Sequence, residues 1–145
     1  MTRLKQICLL CLWGVLSACQ TQTDNAGPDS PQEATVSVNG AVLNYTVQGQ
    51  GPPLYLLHGG MESRESFAHQ IPEFSKSFTV VALDSREQGR SSRSQAQISY
   101  ALMSDDVVSL AEHLGHDRIS IMGSSDGGIT GLTTAMKRPD LVENL

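Results

Sequence analysis

The pentad Gly123-Ser124-Ser125-Asp126-Gly127 constrains the fold of this chain more than any other stretch. A short apolar run, Ile119-Ser120-Ile121-Met122, leads into it, and a helical pattern follows. The spacing G-x-S-x-G suits a strand that reverses sharply into a helix and holds its central side chain at the tip. The central residue of such a turn is strained, and a side chain two positions away on either side would clash. Glycines at 123 and 127 remove that clash. Ser125 then precedes a helix N-terminus, where unpaired N–H groups and the helix dipole favour a developing negative charge. A plain Gly/Ser turn would carry the same five letters, so the rest of the chain decides the reading.

Upstream, Thr35-Val36-Ser37-Val38 and residues 41–47 flank Asn39-Gly40. Asn-Gly between β-favouring runs predicts a hairpin, because both turn positions need positive φ. Leu54-Tyr55-Leu56-Leu57 is a continuous apolar run of the buried parallel type, and residues 78–83 read as another buried strand. The first runs into His58-Gly59-Gly60, the second into a polar loop that begins at Asp84. Glycines after a buried strand let backbone N–H groups face a ligand. His58 reads as structural.

Phe67, Ile71 and Phe74 predict one helix limited by Pro72. Met103, Val107, Leu110, Ala111 and Leu114 predict a second, closed by Gly115. His113 and His116, at its end, are expected in solvent. Strands alternating with helices imply a mostly parallel sheet covered on both faces, with reactive groups at the carboxyl ends of the strands. His58-Gly59-Gly60, Asp84 and Ser125 should therefore share one edge of the sheet.

The first 34 residues read differently. Arg3 and Lys5 precede an apolar run, 7–16, that is too short to span a bilayer as a helix. Leu16-Ser17-Ala18-Cys19 resembles the lipobox of bacterial lipoproteins, which implies cleavage before Cys19 and lipidation of that residue. Residues 1–18 are then a signal peptide, 19–34 a polar linker and 35–145 the folded domain. Gln20 after the Cys resembles the sorting signal for the outer membrane, facing the periplasm. The chain has three cysteines, Cys8, Cys11 and Cys19, so cleavage and lipidation leave no thiol for a disulfide. The net charge is −5, and loss of Arg3 and Lys5 makes it more negative by two. An acidic domain with few aromatics excludes the usual nucleic-acid surfaces.

Taken together, the hairpin, strand-His58-Gly59-Gly60, strand-Asp84-Ser85-Arg86-Glu87-Gln88-Gly89-Arg90-Ser91 and strand-Gly123-Ser124-Ser125-Asp126-Gly127-Gly128 resemble the α/β-hydrolase fold superfamily. The similarity is to its esterase-like and proline-iminopeptidase-like members. It implies an α/β fold: the N-terminal part of a hydrolase sheet, a β-hairpin followed by βαβαβα, mostly parallel and incomplete. It also implies Ser125 as nucleophile, with the N–H groups of Gly60 and Asp126 as oxyanion hole and a small-molecule or peptide substrate. No cofactor or metal is called for. Glu87 departs from the family loop D-x-R-G-x-G-x-S, where Gly is common, so more strain or a different turn is expected there. Asp84 and Arg86 are read as structural.

Family order places the acid and then the His after the serine. After Ser125 the chain offers Asp140 and Glu143 at the far end of a helix, and no His. The base is therefore expected beyond Leu145, and the chain is read as a catalytically incomplete fragment. Its strand at 118–122 should be an exposed edge, which makes the isolated chain poorly soluble or molten. Two alternatives stay open. Asp126 could be the nucleophile, as in epoxide-hydrolase and dehalogenase branches, or the chain could be a non-catalytic, lipid-anchored remnant.

Overall fold

The computed structural model describes residues 30–145. The leader, Cys19 and most of the tether lie outside the described residues. Gln32–Val38 forms β1, so the last residues of the expected tether already pair in the sheet. β2 is Ala41–Gln48, β3 Pro53–Leu57, β4 Thr79–Leu83, β5 Ile119–Gly123 and β6 Val142–Asn144. They form one sheet in the order β1-β2-β4-β3-β5-β6. β1, β2 and β4 pair antiparallel, whereas β4, β3, β5 and β6 run parallel. Val38 pairs with Ala41 across the hairpin, and Asn39 and Gly40 take φ of 45° and 76°.

β3 lies inside the sheet and is buried along nearly its whole length. Tyr55 and Leu57 enter a cluster with Val107, Leu110 and Ala111 of α2 (Tyr100–Leu114). Leu54 and Leu56 point the other way, against Phe67, Val80 and Ala82. Each buried Leu, Val or Phe among them contributes roughly 1.5–3 kcal/mol by leaving water. Ser99 caps α2 by accepting the Leu102 N–H, and Gly115 ends it at φ 70°.

Three elements differ from expectation. The helix expected around Phe67, Ile71 and Phe74 is two short pieces, a 3-10 turn at Arg64–Phe67 and α1 at Ile71–Phe74. Pro72 stands in the first turn of α1, where a missing N–H costs nothing, so the limit it sets is the start of that helix. β5 is not the sheet edge. After α3 (Asp126–Lys137) the chain turns back, buries Leu141 and lays β6 beside β5, pairing Ile119 with Val142. The third is His116, which is not simply solvated. Its Nδ1 lies 2.9 Å from the buried Tyr55 hydroxyl, and the two rings meet edge to face.

That contact has a pH consequence. Burial holds the His116 pKa below its ordinary 6.5. The unfolded chain therefore takes up its proton first on acidification, and stability falls as pH drops through about 6.5. Burial raises the Tyr55 and Tyr45 hydroxyls above their ordinary 10. Above pH 10 the unfolded chain ionises first, and stability is lost again. The urea midpoint is expected to fall at both ends, with His116→Asn flattening the acid limb.

Candidate active site

The parallel register aligns three strand ends. Leu57 pairs with Leu83 on one side and with Gly123 on the other. The segments that follow, at 58, 84 and 124, therefore leave the sheet in one row, as the alternation of strands and helices predicted.

The segment after β5 turns at Ser125, whose φ is 49° and ψ −115°. This is a strained region for a residue with a Cβ. A Cβ on Gly123 would come within 2.4 Å of the Gly127 carbonyl oxygen, and one on Gly127 within 2.0 Å of the Leu57 carbonyl oxygen. The elbow thus packs backbone on backbone, and the Ser124 N–H donates to the Leu57 carbonyl at 3.0 Å. Ser125 is exposed and its hydroxyl makes no hydrogen bond among the described residues. It borders an open apolar groove with Met122, Ile129, Leu132 and Leu145.

Asp126 opens α3, so its N–H has no acceptor within the helix. The Gly60 N–H also makes no hydrogen bond among the described residues. The two segments touch: Asp126 Oδ2 lies 2.4 Å from where a Cβ on Gly60 would stand. Asp126 Oδ1 accepts the Tyr100 hydroxyl at 2.8 Å. Tyr100 was not singled out in the sequence, because nothing local links positions 26 residues apart.

His58 is 1 % exposed, and both its ring nitrogens are used. Its Nε2 accepts the Ser85 N–H at 2.9 Å, so Nδ1 carries the proton and donates to the Gly59 carbonyl at 2.7 Å. It ties two loops together and has no nitrogen left to serve as a base. Asp84 accepts from the Arg64 N–H at 2.8 Å, the Arg64 guanidinium at 3.1 Å and the Arg90 N–H at 3.0 Å. The same guanidinium bonds the Asn44 side-chain oxygen. Arg86 is fully buried and clamps Asp106 with two bonds of 2.6 Å. Asp84 and Arg86 are thus engaged in buried structural contacts, as expected.

Glu87, which stands where the family loop has glycine, takes φ 66°. The added strain expected at this residue is visible there. A residue with a Cβ pays about 1–2 kcal/mol in this region. Glu87→Gly is expected to raise stability by about 1 kcal/mol, read as a higher urea midpoint at unchanged slope.

Asp140 is paired with Arg138 at 2.8 Å and Glu143 with Arg118 at 3.4 Å. Both follow α3 at the end away from Ser125. Among the described residues no histidine lines the groove at Ser125. Among the described residues no group of His, Cys, Asp and Glu could hold a metal ion.

The strand order, the elbow and the two unpaired N–H groups define an α/β-hydrolase architecture. The profile of the alpha/beta hydrolase fold matches residues 52–145, and the chain belongs to that family. Among curated proteins it is 36% identical over 108 residues to a soluble epoxide hydrolase of Corynebacterium sp. (strain C12), covering 74% of this chain and 38% of that one. It is 35% identical over 115 residues to a fluoroacetate dehalogenase of Burkholderia sp, covering 76% and 38%. It is 35% identical over 122 residues to the serine hydrolase BPHL of Homo sapiens, covering 80% and 42%. The solved structure of epoxide hydrolase CorEH superposes with a TM-score of 0.77 at 33% identity, covering 79% of this chain and 40% of that one. The chain thus spans about two fifths of the length of these relatives.

Proposed function

We propose that this chain carries the nucleophile and the oxyanion hole of a serine hydrolase acting on ester, amide or peptide bonds. Ser125 attacks the carbonyl carbon. The N–H groups of Gly60 and Asp126 receive the negative charge that develops on oxygen. A neutral hydroxyl needs a proton acceptor, and in this reading the His and its orienting acid come from polypeptide beyond the described residues. Without them the 145 residues alone are inactive. The observation that carries the reading is the strained, exposed Ser125 at φ 49°, with its hydroxyl unbonded and an unpaired N–H on each neighbouring segment.

Two relatives are named epoxide hydrolase and dehalogenase, which keeps the Asp126 alternative in view. Its geometry supports it less. Asp126 is the first helical residue, not the tip of the turn, and its carboxylate is already bonded to Tyr100. The leader composition and Leu16-Ser17-Ala18-Cys19 support lipid anchoring of the protein through Cys19 in the bacterial envelope.

The test is ester turnover by the full-length gene product. A p-nitrophenyl ester is expected to give a burst of one equivalent, and Ser125→Ala is expected to lower kcat by at least about 1,000-fold. Full activity in a folded Ser125→Ala protein would refute the assignment.

A further inference from the structure

Asp126 has two parts with opposite effects on an oxyanion. Its N–H donates to one, whereas its carboxylate competes for the same donors. Oδ2 lies beside Gly60, close enough that a Cβ there would meet it at 2.4 Å, yet it takes no hydrogen bond from the Gly60 N–H. The carboxylate is instead held by its other oxygen, Oδ1, which accepts the Tyr100 hydroxyl at 2.8 Å. Tyr100 is the first residue of α2, an element anchored by the Ser99 cap and by the Arg86–Asp106 clamp. The latch is therefore tied to a rigid support. Among the described residues, no cation joins them where they line the adjoining cleft with Gln88, Ile98, Ser99 and Met103.

We propose that Tyr100 is a positioning residue that keeps the oxyanion hole open: its hydroxyl holds the Asp126 carboxylate off the Gly60 amide. This rests on the assignment of Ser125 as nucleophile. A released carboxylate can rotate onto the Gly60 N–H, a charge-assisted bond stronger than one to a neutral carbonyl. It would then fill the place of the substrate oxygen and repel the charge forming there. The loss appears in the transition state, where that charge is largest, rather than in substrate binding.

The experiment compares wild type, Tyr100→Phe and Tyr100→Phe/Asp126→Ala in the full-length gene product, with p-nitrophenyl acetate as probe. Tyr100→Phe is expected to lower kcat at least about tenfold with KM nearly unchanged. The double variant, which lacks the competing carboxylate, is expected to recover most of the lost rate. A purely structural Tyr100 predicts the opposite order, with the double variant as slow as the single one or slower. That result, or an unchanged kcat in Tyr100→Phe, would overturn the proposal. An absorbance titration of the phenols separates this from failure of the nucleophile assignment. The hydrogen bond to Asp126 raises the Tyr100 pKa, so Asp126→Ala should lower one tyrosine midpoint whether or not Ser125 is the nucleophile. If no midpoint moves, the latch itself does not exist in solution.

Discussion

Asp106→Ala is expected to destabilise the protein by about 3–5 kcal/mol, the usual cost of leaving a buried charge without its partner. The guanidinium of Arg86 is 0 % exposed and gives two of its donors to Asp106, Nε to Oδ2 and Nη2 to Oδ1, both at 2.6 Å. Its remaining bonds, to Ser94 Oγ at 3.1 Å and the Asn39 carbonyl at 3.4 Å, are neutral and longer. Asp106 Oδ1 also accepts from Asn39 Nδ2 at 3.0 Å. One carboxylate thus joins the hairpin turn, the loop after β4 and α2. Water would have to follow the charge inward, or the loop would have to open. At roughly 4–8 °C per kcal/mol, the melting temperature should drop by 12 °C or more. A drop under about 5 °C in a scanning calorimeter would mean that Arg86 finds other partners, and that the clamp is not what holds the loop.

Gly127→Ala is expected to be nearly as damaging, and for a steric reason. The added Cβ would stand 2.0 Å from the Leu57 carbonyl oxygen and 2.7 Å from that of His58. Both are backbone atoms at the end of the central strand, so no rotamer change can make room. α3 must move away from β3, and the Ser124–Leu57 hydrogen bond at 3.0 Å would lengthen or break. Overpacking of this kind costs about 3 kcal/mol or more when the neighbours are rigid. Gly128→Ala is the control one position on, because its Cβ would come no closer than 3.5 Å to the Gly123 carbonyl. Thermal melts should show a loss of at least about 10 °C for Gly127→Ala and under 3 °C for Gly128→Ala. Equal losses at both positions would mean that the close approach at the elbow is not what excludes a side chain.

The elbow was legible because its cause is local. Gly123, Ser125 and Gly127 must be spaced as they are for a strand to reverse into a helix, so the letters carry the geometry. The strands at 54–57 and 78–83 were legible for a similar reason, since short, mostly apolar runs rich in β-favouring residues suit a strand buried on both faces. The hairpin followed from Asn39-Gly40. Three features could not be read, and each depends on distant residues. β6 has little apolar character of its own; it forms because Leu141 is buried and carries Val142 alongside Ile119. His116 meets Tyr55 across 61 residues, and the Tyr100–Asp126 bond joins the starts of two helices. Pro72 does limit a helix, at its first turn, but the break of the expected run into two short pieces was not legible, because Phe67, Ile71 and Phe74 keep helical spacing across it.

Ser125 acting as the nucleophile of a hydrolase is the proposal on which the rest depends. The measurement that bears on it most directly is peptide mapping of the full-length gene product after treatment with a fluorophosphonate probe. One adduct is expected, on Ser125, and it should disappear on heat denaturation before labelling. A folded protein that takes up no probe, or an alkyl-trapping reagent that marks Asp126 instead, would contradict it.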